Sequence, residues 1–224
     1  IGKSTVVMAN QTFQNGAAAI HYETKGKGLP IVFVHAGVAD SRQWNNEFHS
    51  FAERFQVTRY DQRGFGRTNP VNEAFSHLAD LETLIDHLIP NQIVILVGCS
   101  MGGGHCIDYT LEHPDKVRGL VLVGSGPNGL ELDLPAPEKF KLVRKAEKSG
   151  DMNLVCELKT QLWFDGDRPM DAVNQEMRNL AFEMIRQIWL HDKKKMGTRE
   201  PNLRSSAVDR LAEINIPVLS VVGI

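Results

Sequence analysis

Apolar residues fall along the chain in short runs that alternate with helically spaced stripes. Residues 6–13 and 18–23 read as two strands joined by a turn at Asn15-Gly16, a dipeptide that favours tight hairpins. Five short apolar runs follow, at residues 31–35, 57–60, 93–97, 120–123 and 218–222. Runs without polar alternation suit strands buried on both faces, so these five are the parallel-sheet candidates. Between them the spacing turns helical. Residues 44–55 precede the run at 57, and residues 101–113 follow the run at 93 and stop at Pro114. Leu78, Leu81, Leu84, Ile85 and Leu88 form a single stripe that ends before Pro90. Alternation of this kind predicts an α/β fold with a mostly parallel sheet and helices on both faces.

The pattern changes after Gly129. Residues 135–204 read as helical with no strand, and Ala181, Phe182, Ile185, Ile188 and Trp189 keep one apolar face through them. This block lies between two sheet strands. It is therefore expected to be a helical cap inserted over the sheet edge. The core then comprises residues 1–134 and a returning helix and strand at 205–224, with the C-terminal end of the core missing.

Composition narrows the class. The chain of 224 residues is long enough for one domain with a sizeable core. A net charge of −2 gives no reason to expect nucleic acid or an anionic membrane as partner. No apolar run approaches the roughly 20 residues needed to span a bilayer. Three cysteines without a CxxC pair argue against a disulfide framework and a zinc site, and favour a reducing cytoplasm. No His-x-x-x-His or HExxH spacing suggests a catalytic metal. No cofactor is expected. Gly124-Ser125-Gly126-Pro127-Asn128-Gly129 matches G-x-G-x-x-G, but the prolines that follow do not open a helix, so a dinucleotide would have no helix N-terminus to bind. Gly2-Lys3-Ser4 lacks the glycine and strand that a phosphate loop needs before it.

The chemistry concentrates in Gly98-Cys99-Ser100-Met101-Gly102. This G-x-S-x-G lies between an apolar strand and a helix, the context of a nucleophile elbow. A serine on such a strained turn projects its hydroxyl clear of the sheet, and small flanking residues let neighbouring backbones approach. Ser100 is the candidate nucleophile. His35-Ala36-Gly37-Val38 follows the first parallel strand, where a loop supplies one N–H of an oxyanion hole. The backbone N–H groups of Gly37 and Met101 are the candidates for that hole. His35 reads as a structural hydrogen-bonder, and His105 as packing beneath the elbow. Asp61-Gln62-Arg63-Gly64-Phe65-Gly66 reads as a structural turn near the site, its Asp and Arg able to pair and to hydrogen-bond loop backbone around the glycine turn.

Together these residues resemble the α/β-hydrolase superfamily. The resemblance runs through His35-Ala36-Gly37, Tyr60-Asp61-Gln62-Arg63-Gly64-Phe65-Gly66, Gly98-Cys99-Ser100-Met101-Gly102-Gly103, His113-Pro114-Asp115-Lys116-Val117 and Ile216-Pro217-Val218. Ser41-Arg42-Gln43-Trp44 and Leu162-Trp163-Phe164-Asp165-Gly166 are most similar to the 3-oxoadipate enol-lactonase and cofactor-free haloperoxidase or esterase branch. The resemblance implies a serine hydrolase that cleaves a small ester, thioester or lactone through an acyl-enzyme. It also implies a catalytic acid just after the strand at 218–222 and a histidine further on, so the protein is expected to continue past Ile224. Glu131 and Asp133 follow the preceding strand, where some relatives keep their acid. The partner expected is a small-molecule acyl substrate. Trp163, Phe164 and Met184 are the cap residues expected to touch it, with Met177, Phe182 and Trp189 as further apolar candidates. Arg168, Arg178 and Arg186 are solvated surface or receivers of a substrate carboxylate. Three alternatives stay open: a non-catalytic binding protein or inactive fragment of the fold, a carbon–carbon bond hydrolase, and a proline iminopeptidase-like enzyme.

Overall fold

The computed structural model describes residues 11–130 and 138–223. Glu131, Asp133, Gly2-Lys3-Ser4 and the first part of the predicted strand 6–13 lie outside the described residues.

The chain opens with a hairpin, β1 (Gln11–Asn15) and β2 (Ala18–Lys25). Asn15 pairs with Ala18, so the two loop residues are Gly16 and Ala17 rather than Asn15 and Gly16. Gly16 has φ 58. A positive φ at the first loop position is the signature of a turn whose twist matches the strands, which explains the one-residue shift. Next come β3 (Pro30–Val34), α1 (Asn45–Phe51), β4 (Gln56–Tyr60), β5 (Ala74–Phe75) and α2 (His77–Leu88). The helix expected over 44–55 is shorter at both ends. A 3-10 turn over Ser41–Trp44 leads into α1, and Asp40 caps that turn by accepting from the Arg42 N–H at 3.0 Å. Ser76 caps α2 through the Ala79 N–H. The second half of the sheet is β6 (Val94–Cys99), α3 (Met101–Glu112) and β7 (Val117–Val123).

The seven main strands run in the order β1-β2-β4-β3-β6-β7-β9, where β9 is Val218–Val221. The first two contacts are antiparallel, and the four from β4 to β9 are parallel. The five predicted parallel strands are thus the five parallel strands of the sheet. Alternation along β3 shows why its run is uniformly apolar. Val32 and Val34 join the core beneath α2 and α3, while Ile31 and Phe33 join Trp44 and Phe48 on the other face.

Between β7 and β9 stand α4 (Glu138–Ser149), α5 (Met152–Thr160) and α6 (Gln175–Asp192). The reading of 135–204 as free of strand is corrected by β8 (Thr198–Arg199), which pairs parallel with β5 in a separate two-stranded sheet. Two residues are too few to show a period, so the sequence carries no trace of it. On α6 the buried positions are Arg178, Ala181, Met184, Ile185, Ile188 and His191. Phe182 and Trp189 flank that stripe and are half-buried.

The α6 face docks on the core. Gln187 donates to the Gly66 carbonyl at 2.7 Å, and His191 Nδ1 lies 2.9 Å from the Gly64 carbonyl. Ala181 and Met184 pack against Ala36 and Ala39 of the loop after β3. Among the described residues no helix is long and apolar enough to cross a membrane.

Candidate active site

Three parallel strands end at one edge of the sheet, and their following loops meet there. The loop after β6 is the tightest. Ser100 stands between β6 and α3 at φ 48 and ψ −117, a conformation that costs a non-glycine residue about 1–3 kcal/mol. Its N–H donates to the Val123 carbonyl of β7 at 3.0 Å, and its carbonyl accepts from Gly103 and Gly104 to start α3. The turn closes only because its flanks are glycine. A Cβ on Gly98 would stand 2.5 Å from the Gly103 Cα, and one on Gly102 would overlap the Val34 and His35 carbonyl oxygens. Ser100 is exposed to solvent, and the N-terminus of α3 faces the same way as its turn.

Gly37 and Met101 are neighbours across this edge. A Cβ on Gly37 would lie 3.2 Å from Met101 Sδ. Neither backbone N–H donates to a protein acceptor among the described residues.

Beneath the elbow lies a hydrogen-bonded ladder centred on Gln62, a residue the sequence reading passed over. The Gln62 N–H donates to His35 Nε2 at 3.0 Å, and its side-chain amide donates to the His35 carbonyl at 2.9 Å. Gln62 Oε1 accepts from His105 Nδ1 at 2.7 Å. His35 Nδ1 donates to the Ala36 carbonyl at 2.8 Å. His105 Nε2 accepts from Arg199 at 3.0 Å. Both rings are fully engaged and fully buried. Burial lowers the His35 pKa and pushes His105 down to about 3, with the Arg199 charge adding to the second shift. Both histidines are therefore neutral supports of the loops around Ser100.

Of the two roles expected of this turn, the Asp61–Arg63 pair does not form, while the hydrogen bonds to loop backbone do. Asp61 accepts the backbone N–H groups of Ser41 and Arg67 at 2.8 and 2.9 Å. Arg63 turns the other way, to Asp80 at 2.7 Å and to Glu73. A buried charge left alone is costly, so Asp61 is met by N–H donors and Arg63 by carboxylate acceptors, each on its own side.

An apolar cavity of about 300 Å³ adjoins the elbow. Trp163, Phe164 and Met184 line it, together with Met177 and with Cys99 and Ala36 from the core. Phe164 and Trp163 reach it from a π-helical turn over Gln161–Asp165, a local widening that re-aims side chains. Phe182 and Trp189 are not part of its wall; Trp189 lies instead under the Lys193 ammonium. Sequence reasoning missed Leu180 and Gln43 in this wall, and it saw Ala181 and Ile185 only as a stripe. Of the three arginines proposed for a carboxylate, Arg178 and Arg168 are otherwise occupied and Arg186 is exposed. Arg178 is buried and pairs with Asp165 at 3.0 Å and with Glu157. Arg168 donates to the Phe164 and Asp165 carbonyls, and Arg186 lies 3.7 Å from Glu183. Among the described residues no cluster of His, Cys, Asp or Glu is arranged to hold a metal ion.

This architecture has relatives. Residues 30–186 match the family described as alpha/beta hydrolase fold. The chain is 32% identical over 110 residues to a pimeloyl-[acyl-carrier protein] methyl ester esterase of Nitrosomonas europaea, a match covering 49% of the chain and 42% of that protein. It is 25% identical over 219 residues to a 2-hydroxy-6-oxononadienedioate/2-hydroxy-6-oxononatrienedioate hydrolase of Paraburkholderia xenovorans, covering 93% of the chain and 75% of that protein. The crystal structure of a bromoperoxidase from Bacillus anthracis superposes with a TM-score of 0.73 at 23% identity, over 96% of the chain and 80% of that structure. Four curated relatives that the chain matches, the Nitrosomonas esterase among them, are covered over less than two thirds of their own length, from 29% to 58%. With the sheet order, the elbow and the family match over 30–186 in agreement, the chain belongs to the α/β-hydrolase fold family.

Proposed function

We propose that the protein is a serine hydrolase that cleaves a small ester, thioester or lactone through an acyl-enzyme on Ser100. The observation that carries this reading is the backbone of Ser100 itself. A serine held at φ 48 on a strand-to-helix turn, with its strain sustained by glycine on both sides, is a costly arrangement with no packing benefit. It serves to present a hydroxyl.

In this mechanism a base takes the Ser100 hydroxyl proton as Oγ bonds to the substrate carbonyl, and returns it to the leaving group as the scissile bond breaks. The N–H groups of Gly37 and Met101 hold the oxyanion, and water then releases the acid. Serine needs a base that a third group orients. His35 and His105 have both ring nitrogens committed, so neither is that base. The apolar cavity beside Cys99, lined by Trp163, Phe164 and Met184, receives the hydrocarbon part of the substrate.

The test is hydrolysis of a small activated ester by the protein and by Ser100→Ala, with mass spectrometry after a fluorophosphonate probe. The expected loss in turnover is on the order of a million-fold, with the probe bonded to Ser100. Equal rates in the two proteins, or an adduct elsewhere, overturn the assignment.

A further inference from the structure

The two flanks of Ser100 differ in character. On the Cys99 side lies the apolar cavity. Beyond Met101 lies a second cavity, of about 400 Å³, whose wall includes Arg63, His77, His191, Lys195 and Arg199 and which reaches the elbow through the contact of Arg199 with Met101 Sδ. Arg63 is neutralised by Asp80 and Glu73. Arg199 is not neutralised in this way. Its guanidinium donates to the neutral His105 Nε2 at 3.0 Å and approaches Met101 Sδ at 3.8 Å; among the described residues no carboxylate makes a salt bridge with it, and the buried Asp108, held by Asn128 and Asn202, acts on it only at longer range. A guanidinium has five N–H donors in a planar fork, so most of this fork is open. The Met101 side chain touches both the fork and the space beside Gly37. A second observation points into the same cavity. His77 is 2% exposed, and its Nδ1 has no hydrogen-bond partner among the described residues.

We infer that Arg199 is the receptor for a substrate carboxylate, so that the preferred substrate carries a carboxylate on the side of the scissile bond that lies over Met101 and an apolar group on the side that lies over Cys99. This rests on the hydrolase reading of Ser100 and names its substrate class. One open guanidinium matches a monoanion in charge, and its planar fork matches a carboxylate in shape. A dianionic phosphoryl group would leave a charge uncompensated, because Lys195 stands at the exposed rim and Asp192 shares the wall. Arg178 and Arg168 have no such freedom, and Arg186, exposed beside Glu183, lines neither cavity. Arg199 was invisible to the sequence reading because it lies on the two-residue strand β8, which has meaning only once paired with β5.

The experiment compares specificity constants for two ester pairs: nitrophenyl hemiglutarate against nitrophenyl valerate, and carboxyphenyl butyrate against phenyl butyrate. The first places the carboxylate in the acyl part, the second in the leaving group. The protein should prefer the charged member of at least one pair. In Arg199→Gln the ratio of charged to neutral specificity constants for that pair should fall about tenfold to a hundredfold, mainly through KM. Arg199→Lys should retain part of the preference. Glutarate binding, followed by calorimetry on the protein and on Arg199→Gln, reads the same site without catalysis. A protein that hydrolyses esters with no charged preference, or whose ratio is unchanged in Arg199→Gln, overturns the carboxylate site. Equal loss on both members of a pair marks Arg199 as structural and also overturns it. Failure to hydrolyse any ester, with glutarate binding that depends on Arg199, overturns the hydrolase reading and leaves the carboxylate site standing.

Discussion

At the scale of single residues, the elbow is decided by what is absent from Gly98 and Gly102. Ordinary van der Waals contact begins where a Cβ on Gly98 would already overlap the backbone of α3, and backbone does not yield as a flexible side chain does. Gly98→Ala is therefore expected to lose about 1–3 kcal/mol or more, and to displace Ser100 from its φ. Thermal unfolding beside ester turnover checks this: a variant as stable and as active as the parent would show that the turn is less crowded than the structure has it. The serine was legible because strand, G-x-S-x-G and helix occur in strict succession. Gln62 was not, since nothing along the chain marks a glutamine whose amide serves two histidines far away in sequence.

At the scale of elements, the helices between β7 and β9 are held to one another by a buried ion cluster and to the core by a few hydrogen bonds and the packing of α6 on Ala36 and Ala39. Arg178 is 8% exposed and Asp165 is 7% exposed, and the two meet at the junction of α6 with the π-helical turn. Removing one partner leaves the other charge buried and alone. Arg178→Met is expected to destabilise the protein by about 3–5 kcal/mol, whereas Arg178→Met combined with Asp165→Leu should recover most of that loss. Hydrogen exchange over α5 and α6, with thermal unfolding of both variants, decides the matter; a double variant no better than the single one would mean that the cluster is not the clamp. Patterning along α6 predicted the helix but misplaced part of its face. The period alone admits Phe182 and Trp189 to the stripe. Packing against Ala36 and Ala39 keeps Ala181 in the face and adds Met184.

At the scale of the whole molecule, three neutral histidines lie buried around the loops of the site. His35, His77 and His105 all have pKa values lowered chiefly by burial, and His105 comes to about 3 against an ordinary 6.5. In the unfolded chain each would take up a proton as pH falls below about 6.5. The unfolded state then binds more protons than the folded one, so stability rises with pH across this window. It is lost progressively as pH falls from about 6.5 towards 3, with a limiting slope of about 1.4 kcal/mol per pH unit for each proton. His105→Asn keeps a donor toward Gln62 and removes the titration. Its stability is expected to fall less steeply with acid, by about one proton's slope, in denaturant titrations between pH 4 and pH 6. Parallel acid limbs for the two proteins would show that His105 is already charged in the fold.

Sequence by itself determined the parallel strands, the helices between them, the helical insertion and the serine at the turn. Each of these is a local matter. A run that is apolar throughout, a stripe at helical spacing or a serine between two glycines is read within a dozen positions. Tertiary structure alone decided which side chains meet. It turned Asp61 to the Ser41 and Arg67 amides and Arg63 to Asp80, where adjacency in sequence suggested a pair. It placed Cys99 and the cap in one apolar cavity and left Arg199 open beside Met101. The physical reason is that propensity and periodicity act over one or two turns of chain. Burial of a charge, by contrast, is settled by whichever donor the fold brings within about 3 Å, regardless of the number of residues between.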